Sequence, residues 1–299
     1  MRRKMNFEEF KNAVMNSIKN WLPDTFGSSE VSVSVVTKNN DVKLTGLLIK
    51  KVGSAMAPMI YLESFYKEYE GGKGMEQILQ KIAKVRMDHD DTDLVDMNMV
   101  SELSGCQDKI MPRLIGGNWN KDILENRPHV MISDLAVTFV IDLGMHEEGS
   151  MTIPITNEML KIWGASSEEL YAIAIKNLED SEGVFVTMFE MLTGLIGDAV
   201  PKDMIPEESL YVLTNESKIY GASMLLNKKL MTKVIERVGK DFYIVPSSVH
   251  EVLIVPRNDK MRISDLDYLV RDINESQVDV PDRLSDHIYR YTEEGLISA

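Results

Sequence analysis

The densest group of reactive side chains in this sequence is Pro246-Ser247-Ser248-Val249-His250-Glu251. It sets two hydroxyls, an imidazole and a carboxylate side by side along the chain. A hydrolase would use Ser247 or Ser248 as nucleophile, His250 as its base and Glu251 to orient the base. Each group must then hydrogen-bond the next. The same residue types also build tight turns, where serine side chains satisfy backbone groups. Neighbours in a short loop rarely aim at one point, so the turn is the preferred reading. No Gly-x-Ser-x-Gly elbow occurs elsewhere to support a serine hydrolase.

Other constellations fail at named positions. The five histidines (His89, His129, His146, His250, His287) are scattered, and none pairs with another at a helical ligand spacing. His250-Glu251 lacks the second histidine of a zincin, and a lone Cys106 cannot build a structural zinc site. Convergence of His129, His146 and a carboxylate in three dimensions stays open. The acidic run from Asp88 fails as a calcium loop, because Asp93 stands at the glycine position and Met99 at the bidentate glutamate. Gly71-Gly72-Lys73-Gly74 lacks phosphate-loop spacing and joins two expected helices. No metal site and no cofactor are therefore expected. Cys106 has no His or Lys close in sequence to activate it, so it reads as a buried thiol.

Four further residues are candidates for binding. Asn215 and Asp286 would matter if a pocket gathered them with the loop at 247–251. Tyr289 and Tyr291 fall on one face of an expected strand, as base-stacking aromatics do in some sheet-based RNA binders. Asp286, Glu293 and Glu294 flank them and oppose nucleic acid, so sheet packing is the preferred reading.

The elements that must position these residues follow from periodicity. Asn6 and Glu9 form a capping box ahead of a helix burying Phe7, Phe10, Val14, Ile18 and Trp21. Alternating Val31, Val33 and Val35 and the segment Val42 to Lys51 predict a hairpin around Lys38-Asn39-Asn40-Asp41. Helices are expected through Phe65 and Tyr69 and over Met75–Met87. A solvated linker should follow from Asp88. Strands are expected at Ile110–Ile115, over Val130–Leu143 and at Met151–Ile155. A short helix should cover Asn120–Glu125, with two more at Asn157–Trp163 and after Ser166. The apolar stretch Gly183 to Val200 is long enough to span a bilayer, but Glu190 sits near its middle. A buried helix, or a short strand leading into one, fits better; an exposed apolar helix for a partner is the alternative.

The last third reads as strand, helix, strand, strand, helix, strand. Its parts are Leu210–Thr214, Ala222–Val238 with a break at Asn227, Phe242–Val245, Val252–Val255, a helix capped by Ser264, and His287–Tyr291. That is the split-βαβ order of ferredoxin-like folds. The expected class is α+β, with antiparallel or mixed sheets and packed helices. Three segments are expected, 1–93, 94–205 and 206–299, with two lobes as the alternative.

Charge narrows the partners. The net charge is −14 and uneven. Residues 1–60 carry 9 Lys/Arg and 5 Asp/Glu, and the remainder carries 24 and 42. An acidic body repels phosphate backbones and suits basic partners, or imitates nucleic acid. A protein partner is thus expected over nucleic acid, and a small-molecule ligand stays open. The 20 methionines fill cores or form adaptable surfaces. No apolar segment follows Met1-Arg2-Arg3-Lys4, so neither a secretory signal nor a membrane anchor is expected. With a single cysteine, this fits a cytoplasmic protein.

Several strings together resemble a known family. They are Pro128 to Val137, Trp163-Gly164 with Glu168-Glu169-Leu170-Tyr171 and Ala174 to Asn177, Leu213-Thr214-Asn215, Gly221-Ala222, Phe242 to Glu251, and Leu284-Ser285-Asp286-His287-Ile288-Tyr289-Arg290-Tyr291. They look like a domain-of-unknown-function family of hypothetical proteins from Gram-positive gut anaerobes, over about residues 6 to 297. The resemblance implies a bacterial cytoplasmic protein and carries no activity to any residue. Two functions are then expected in order: a non-catalytic binding or interaction protein with an acidic surface, and a hydrolase using Ser247 or Ser248, His250 and Glu251.

Overall fold

A computed structural model describes residues 3–54, 57–89, 97–146, 149–196, 210–257, 262–293 and 295–299. The chain divides into two compact units. One comprises residues 1–38 and 42–99, and the other residues 39–41 and 100–299. Most of the acidic run lies outside the described residues, from Asp90 onward.

In the first unit, α1 (Phe7–Ser17) starts at the expected capping box. The Asn6 side chain accepts from the Glu9 N–H at 2.9 Å, and Glu9 accepts from the Asn6 N–H at 2.8 Å. Phe10, Val14 and Ile18, four residues apart, are fully buried. β1 (Glu30–Thr37) and β2 (Lys43–Lys50) form the expected antiparallel hairpin, from Glu30 opposite Lys50 to Thr37 opposite Lys43. Asn40 and Asp41 take the turn at φ 60° and 52°, a region these short polar side chains tolerate. β3 (Met59–Tyr61) pairs with β2, and α2 (Leu62–Glu70) and α3 (Met75–Asp88) follow. The core joins Phe10, Val14 and Ile18 to Leu47, Ile49, Leu62, Ile78 and Ile82. Arg86 enters it at 1% exposure, donating Nε to the Ile49 carbonyl at 2.8 Å and resting 4.7 Å from the Phe26 ring centroid.

The second unit begins with β4 (Ile110–Gly116), α4 (Lys121–Asn126), β5 (His129–Ile132), β6 (Leu135–His146) and β7 (Gly149–Pro154). The expected single strand from Val130 is two strands, because Ser133 turns the chain at φ 55°. β4 pairs along one edge of β6, and β5 then β7 along the other. Leu135 to Ile141 are all buried, as a strand covered on both faces requires. α5 (Asn157–Trp163) ends at Gly164 in the left-handed conformation, φ 66°. α6 (Ser167–Asp180) is capped by Ser166 and packs on β4, β5 and β6.

The apolar stretch from Gly183 is a strand leading into a helix, β8 (Gly183–Thr187) and α7 (Met188–Ile196). Thr187 and Glu190 are its capping box, each accepting from the other's backbone N–H. No helix among the described residues is long and apolar enough to cross a membrane. β9 (Tyr211–Asn215), α8 (Lys228–Val238), β10 (Phe242–Val245), β11 (Val252–Pro256), α9 (Ile263–Ser276), β12 (Tyr289–Thr292) and β13 (Gly295–Ser298) complete the chain. The break at Asn227 is real, since its side chain caps α8 after a 3-10 turn over Gly221–Leu226. Ser264 is not the cap of α9. Arg262 holds that position, and Ser264 lies inside the helix.

These strands form one sheet in the order β13-β12-β10-β11-β9-β8. The split-βαβ expectation holds for β9, α8 and β10, which leave β11 between them. The ferredoxin-like order fails at the last strand. There β12 would lie beside β9, but β8 already holds that edge, from Gly183 opposite Asn215 to Thr187 opposite Tyr211. β12 therefore pairs with β10, and β13 extends the sheet. The same β8–β9 pairing puts residues on both sides of position 206 into one sheet, so no domain boundary falls there. The architecture is α+β with antiparallel sheets.

Candidate functional site

The loop 246–251 joins β10 to β11, and it is pinned from three directions. The Val249 N–H donates to the Asp282 carbonyl at 2.8 Å, and the Val249 carbonyl accepts from the Ala222 N–H at 3.2 Å. The Thr214 hydroxyl donates to the His250 carbonyl at 2.7 Å. Val249 itself is buried.

Both serine hydroxyls face Glu251 rather than His250. Ser247 and Ser248 each donate to Glu251 Oε1 at 3.1 Å. Ser248, only 6% exposed, also accepts from the backbone N–H groups of His250 and Glu251, at 3.0 and 3.4 Å. This is a serine turn, in which one hydroxyl satisfies the loop's own donors. The His250 ring looks elsewhere. Its Nδ1 accepts from the Tyr220 N–H at 3.2 Å, which places the ring proton on Nε2, 3.3 Å from Asp282 Oδ1. A base whose acceptor nitrogen is engaged by a backbone donor cannot take a proton from Ser247 or Ser248 in this arrangement. Catalysis by the expected trio would need the loop rebuilt.

The other candidates separate. Asn215 clips its own turn, donating to the Ile219 carbonyl at 2.9 Å and accepting from the Ile219 N–H at 3.2 Å. Asp286 lines a cleft of the second unit whose lining includes neither Asn215 nor residues 247–251. Tyr289 is fully buried, and its hydroxyl reaches Asp134 at 2.8 Å and Ser285 at 2.6 Å. It offers no face to a base, so the stacking reading fails there. Tyr291, half-buried, has a phenol pushed up by burial. His129 Nδ1 lies 3.0 Å from the Arg127 carbonyl, and the His146 side chain is outside the described residues. Among the described residues no three His, Cys, Asp or Glu side chains gather to hold a metal.

Residues 7–293 match the family of unknown function DUF5688. The chain belongs to this family. No curated protein and no solved structure matches it. The DUF5688 match covers nearly the whole span on which the motif resemblance rests.

Sequence reading missed the partners that give His250 its role. Tyr220, at φ 52°, supplies the N–H and sets its ring 5.7 Å from the imidazole. The Arg113 guanidinium lies 3.9 Å from the Tyr220 ring centroid and donates to Thr152 at 2.8 Å. Burial lowers the pKa of Arg113 and of Arg127. No local spacing links positions 113, 220, 250 and 282, so no motif could have announced this cluster.

Cys106 of the DUF5688 chain is fully buried, and burial, then the Asp108 carboxylate, push its thiol up. A thiolate is the reactive form, so both effects suppress reaction. Iodoacetamide should leave Cys106 unmodified in the folded protein at neutral pH and alkylate it in denaturant. Rapid native labelling would contradict the burial.

Proposed function

We propose that this DUF5688 chain is a non-catalytic binding protein of the bacterial cytoplasm, and that its acidic second unit engages a positively charged protein. The observation that carries the non-catalytic half is the self-satisfied loop at Ser247–Glu251. Its hydroxyls serve Glu251 and the local backbone, and its imidazole serves Tyr220 and Asp282. The charge supports the second half. The first unit carries 14 Lys/Arg against 13 Asp/Glu, and the second 19 against 34. The excess of negative charge therefore belongs to one folded body, where it raises the encounter rate with basic surfaces and repels phosphate.

Two measurements test this. A fluorophosphonate serine-hydrolase probe should leave Ser247 and Ser248 unlabelled in the folded chain. Labelling at either would favour the hydrolase reading. Affinity capture on the whole protein at low salt should retain a basic protein, whose affinity falls as salt rises through the physiological range. Capture that is indifferent to salt, or absent at low salt, would sink the electrostatic half.

A further inference from the structure

The cleft lined by Asp286 has a composition that the loop does not share. It measures about 380 Å³ and lies wholly within the second unit. α9 contributes Arg271, Asn274 and Glu275, the segment after it contributes Arg283 and Asp286, and Trp119 forms an apolar wall. Two guanidiniums and two carboxylates thus line one small space. Among the described residues no ion pair joins either arginine to either acid, and the Asp286 carboxylate has its Oδ1 3.2 Å from His287 Nε2. The Arg271 and Glu275 side chains are exposed, and neither makes a hydrogen bond or ion pair among the described residues. Arg283 uses Nε on the Val278 carbonyl at 3.1 Å, which leaves its terminal nitrogens for other partners.

Asn274 gives an independent sign of a ligand. It is 4% exposed, and its Nδ2 donates to the Ser285 carbonyl at 2.9 Å. A carbonyl can only accept, so this bond fixes which end of the amide is which. Oδ1 is then the atom Asn274 has left to offer, and it is buried with no partner. A buried acceptor without a donor is unfavourable and rare in folded proteins. A ligand bearing N–H groups would satisfy it.

We propose that this cleft binds a free α-amino acid. The ligand's ammonium would face the Asp286 and Glu275 carboxylates, and it would meet Asn274 Oδ1, which has almost no accessible surface in this structure, after a small shift of the cleft wall. Its carboxylate would pair with the Arg271 and Arg283 guanidiniums, whose forked donors suit that group. Its side chain would lie against Trp119. The volume is at the small end of the range of ligand pockets, which suits a zwitterion of this size rather than a nucleotide. Phosphate alone fits poorly, because the two carboxylates oppose a second negative charge. A quaternary ammonium would want several aromatic walls, and the cleft has one. This site goes beyond the acidic-surface reading and does not depend on it.

The test is thermal unfolding of the full chain with each standard L-amino acid at millimolar concentration, followed by calorimetry on those that shift it. At least one should raise Tm by several degrees. Its decarboxylated amine and its N-acetyl derivative should not. Arg271→Gln should weaken binding about tenfold while leaving the ligand-free Tm unchanged, since Arg271 has no partner to lose. Asp286→Asn should weaken binding by a similar factor. If no amino acid shifts Tm, or if binding survives Arg271→Gln, the proposal is overturned. Either failure leaves a salt-sensitive protein partner as it stands.

Discussion

Gly221→Ala should destabilise the second unit by about 3 kcal/mol, at the upper end of overpacking costs. A Cβ at this position would lie 2.5 Å from the His250 carbonyl oxygen and 2.7 Å from the Asn215 backbone nitrogen, and would also strike the Thr214 hydroxyl. Two of those atoms are backbone and cannot rotate away. The third donates the 2.7 Å bond that holds the His250 carbonyl, so moving it releases the loop. Gly221 also sits between Tyr220, whose N–H engages His250, and Ala222, whose N–H engages Val249. One methyl group therefore disturbs three attachments of the loop at 247–251. Urea unfolding should show a lower midpoint at an unchanged slope. Gly194→Ala is the control, because among the described residues nothing lies within 4 Å of its added Cβ in α7. It should be neutral, or stabilising by up to about 1 kcal/mol, through helix propensity. Equal effects of the two substitutions would show that the contact at Gly221 can yield.

Tyr289→Phe should cost about 2 kcal/mol at neutral pH, and the cost should shrink in alkali. The substitution keeps the buried ring and removes the hydroxyl that joins Asp134 to Ser285. Asp134 is a charged acceptor, and such bonds are the stronger kind. Burial raises the Tyr289 phenol far above its ordinary value; the Ser285 bond lowers it in part, and the neighbouring Asp134 carboxylate raises it again. In the unfolded chain the phenol ionises near pH 10. Above that pH the unfolded chain loses a proton that the folded one keeps. The contribution of Tyr289 is therefore complete below about pH 10 and is lost as pH rises further. Phenylalanine has no such proton, so the stability gap between the two proteins should narrow above pH 10. Tyr66, Tyr171 and Tyr291 are raised too, but they are present in both proteins and cancel. A gap that stays constant from pH 8 to pH 11 would contradict the buried phenol.

Both predictions concern residues whose importance depends on distant partners. Gly221 is one of 18 glycines, and no spacing in the sequence distinguishes it. Its constraint comes from Thr214 and His250, which β9 and the β10–β11 loop bring to the same place. Alternation assigns Tyr289 a face, and sheet packing is the preferred reading of that face over base stacking. Alternation cannot say that Asp134, 155 positions away, meets that face and closes it.

Local physics was legible wherever the chain decides alone. The capping box at Asn6, the hairpin around Asn40 and Asp41, the break at Asn227 and the two strands around residues 246–251 all depend on groups a few positions apart. The α+β class follows from the same short-range periodicities. The Thr187–Glu190 box was equally local and readable, though apolar composition hid it. Strand order was another matter. β12 beside β10 rather than β9 is a competition for a sheet edge, and β8 settles it from outside the segment that suggested a ferredoxin-like pattern.

The loop from Ser247 to Glu251 shows the same division. Residue types at adjacent positions determined that hydroxyls, imidazole and carboxylate would be close, and that a turn would hold them. Direction was decided by tertiary structure, because a side chain turns toward whichever partner satisfies it. Tyr220 and Asp282 supplied those partners for His250, and Glu251 supplied one for both serines. The cleft with Arg271, Asn274 and Asp286 lies further still from local reading. Its chemistry exists only because α9, the segment after it and Trp119 meet at one cleft.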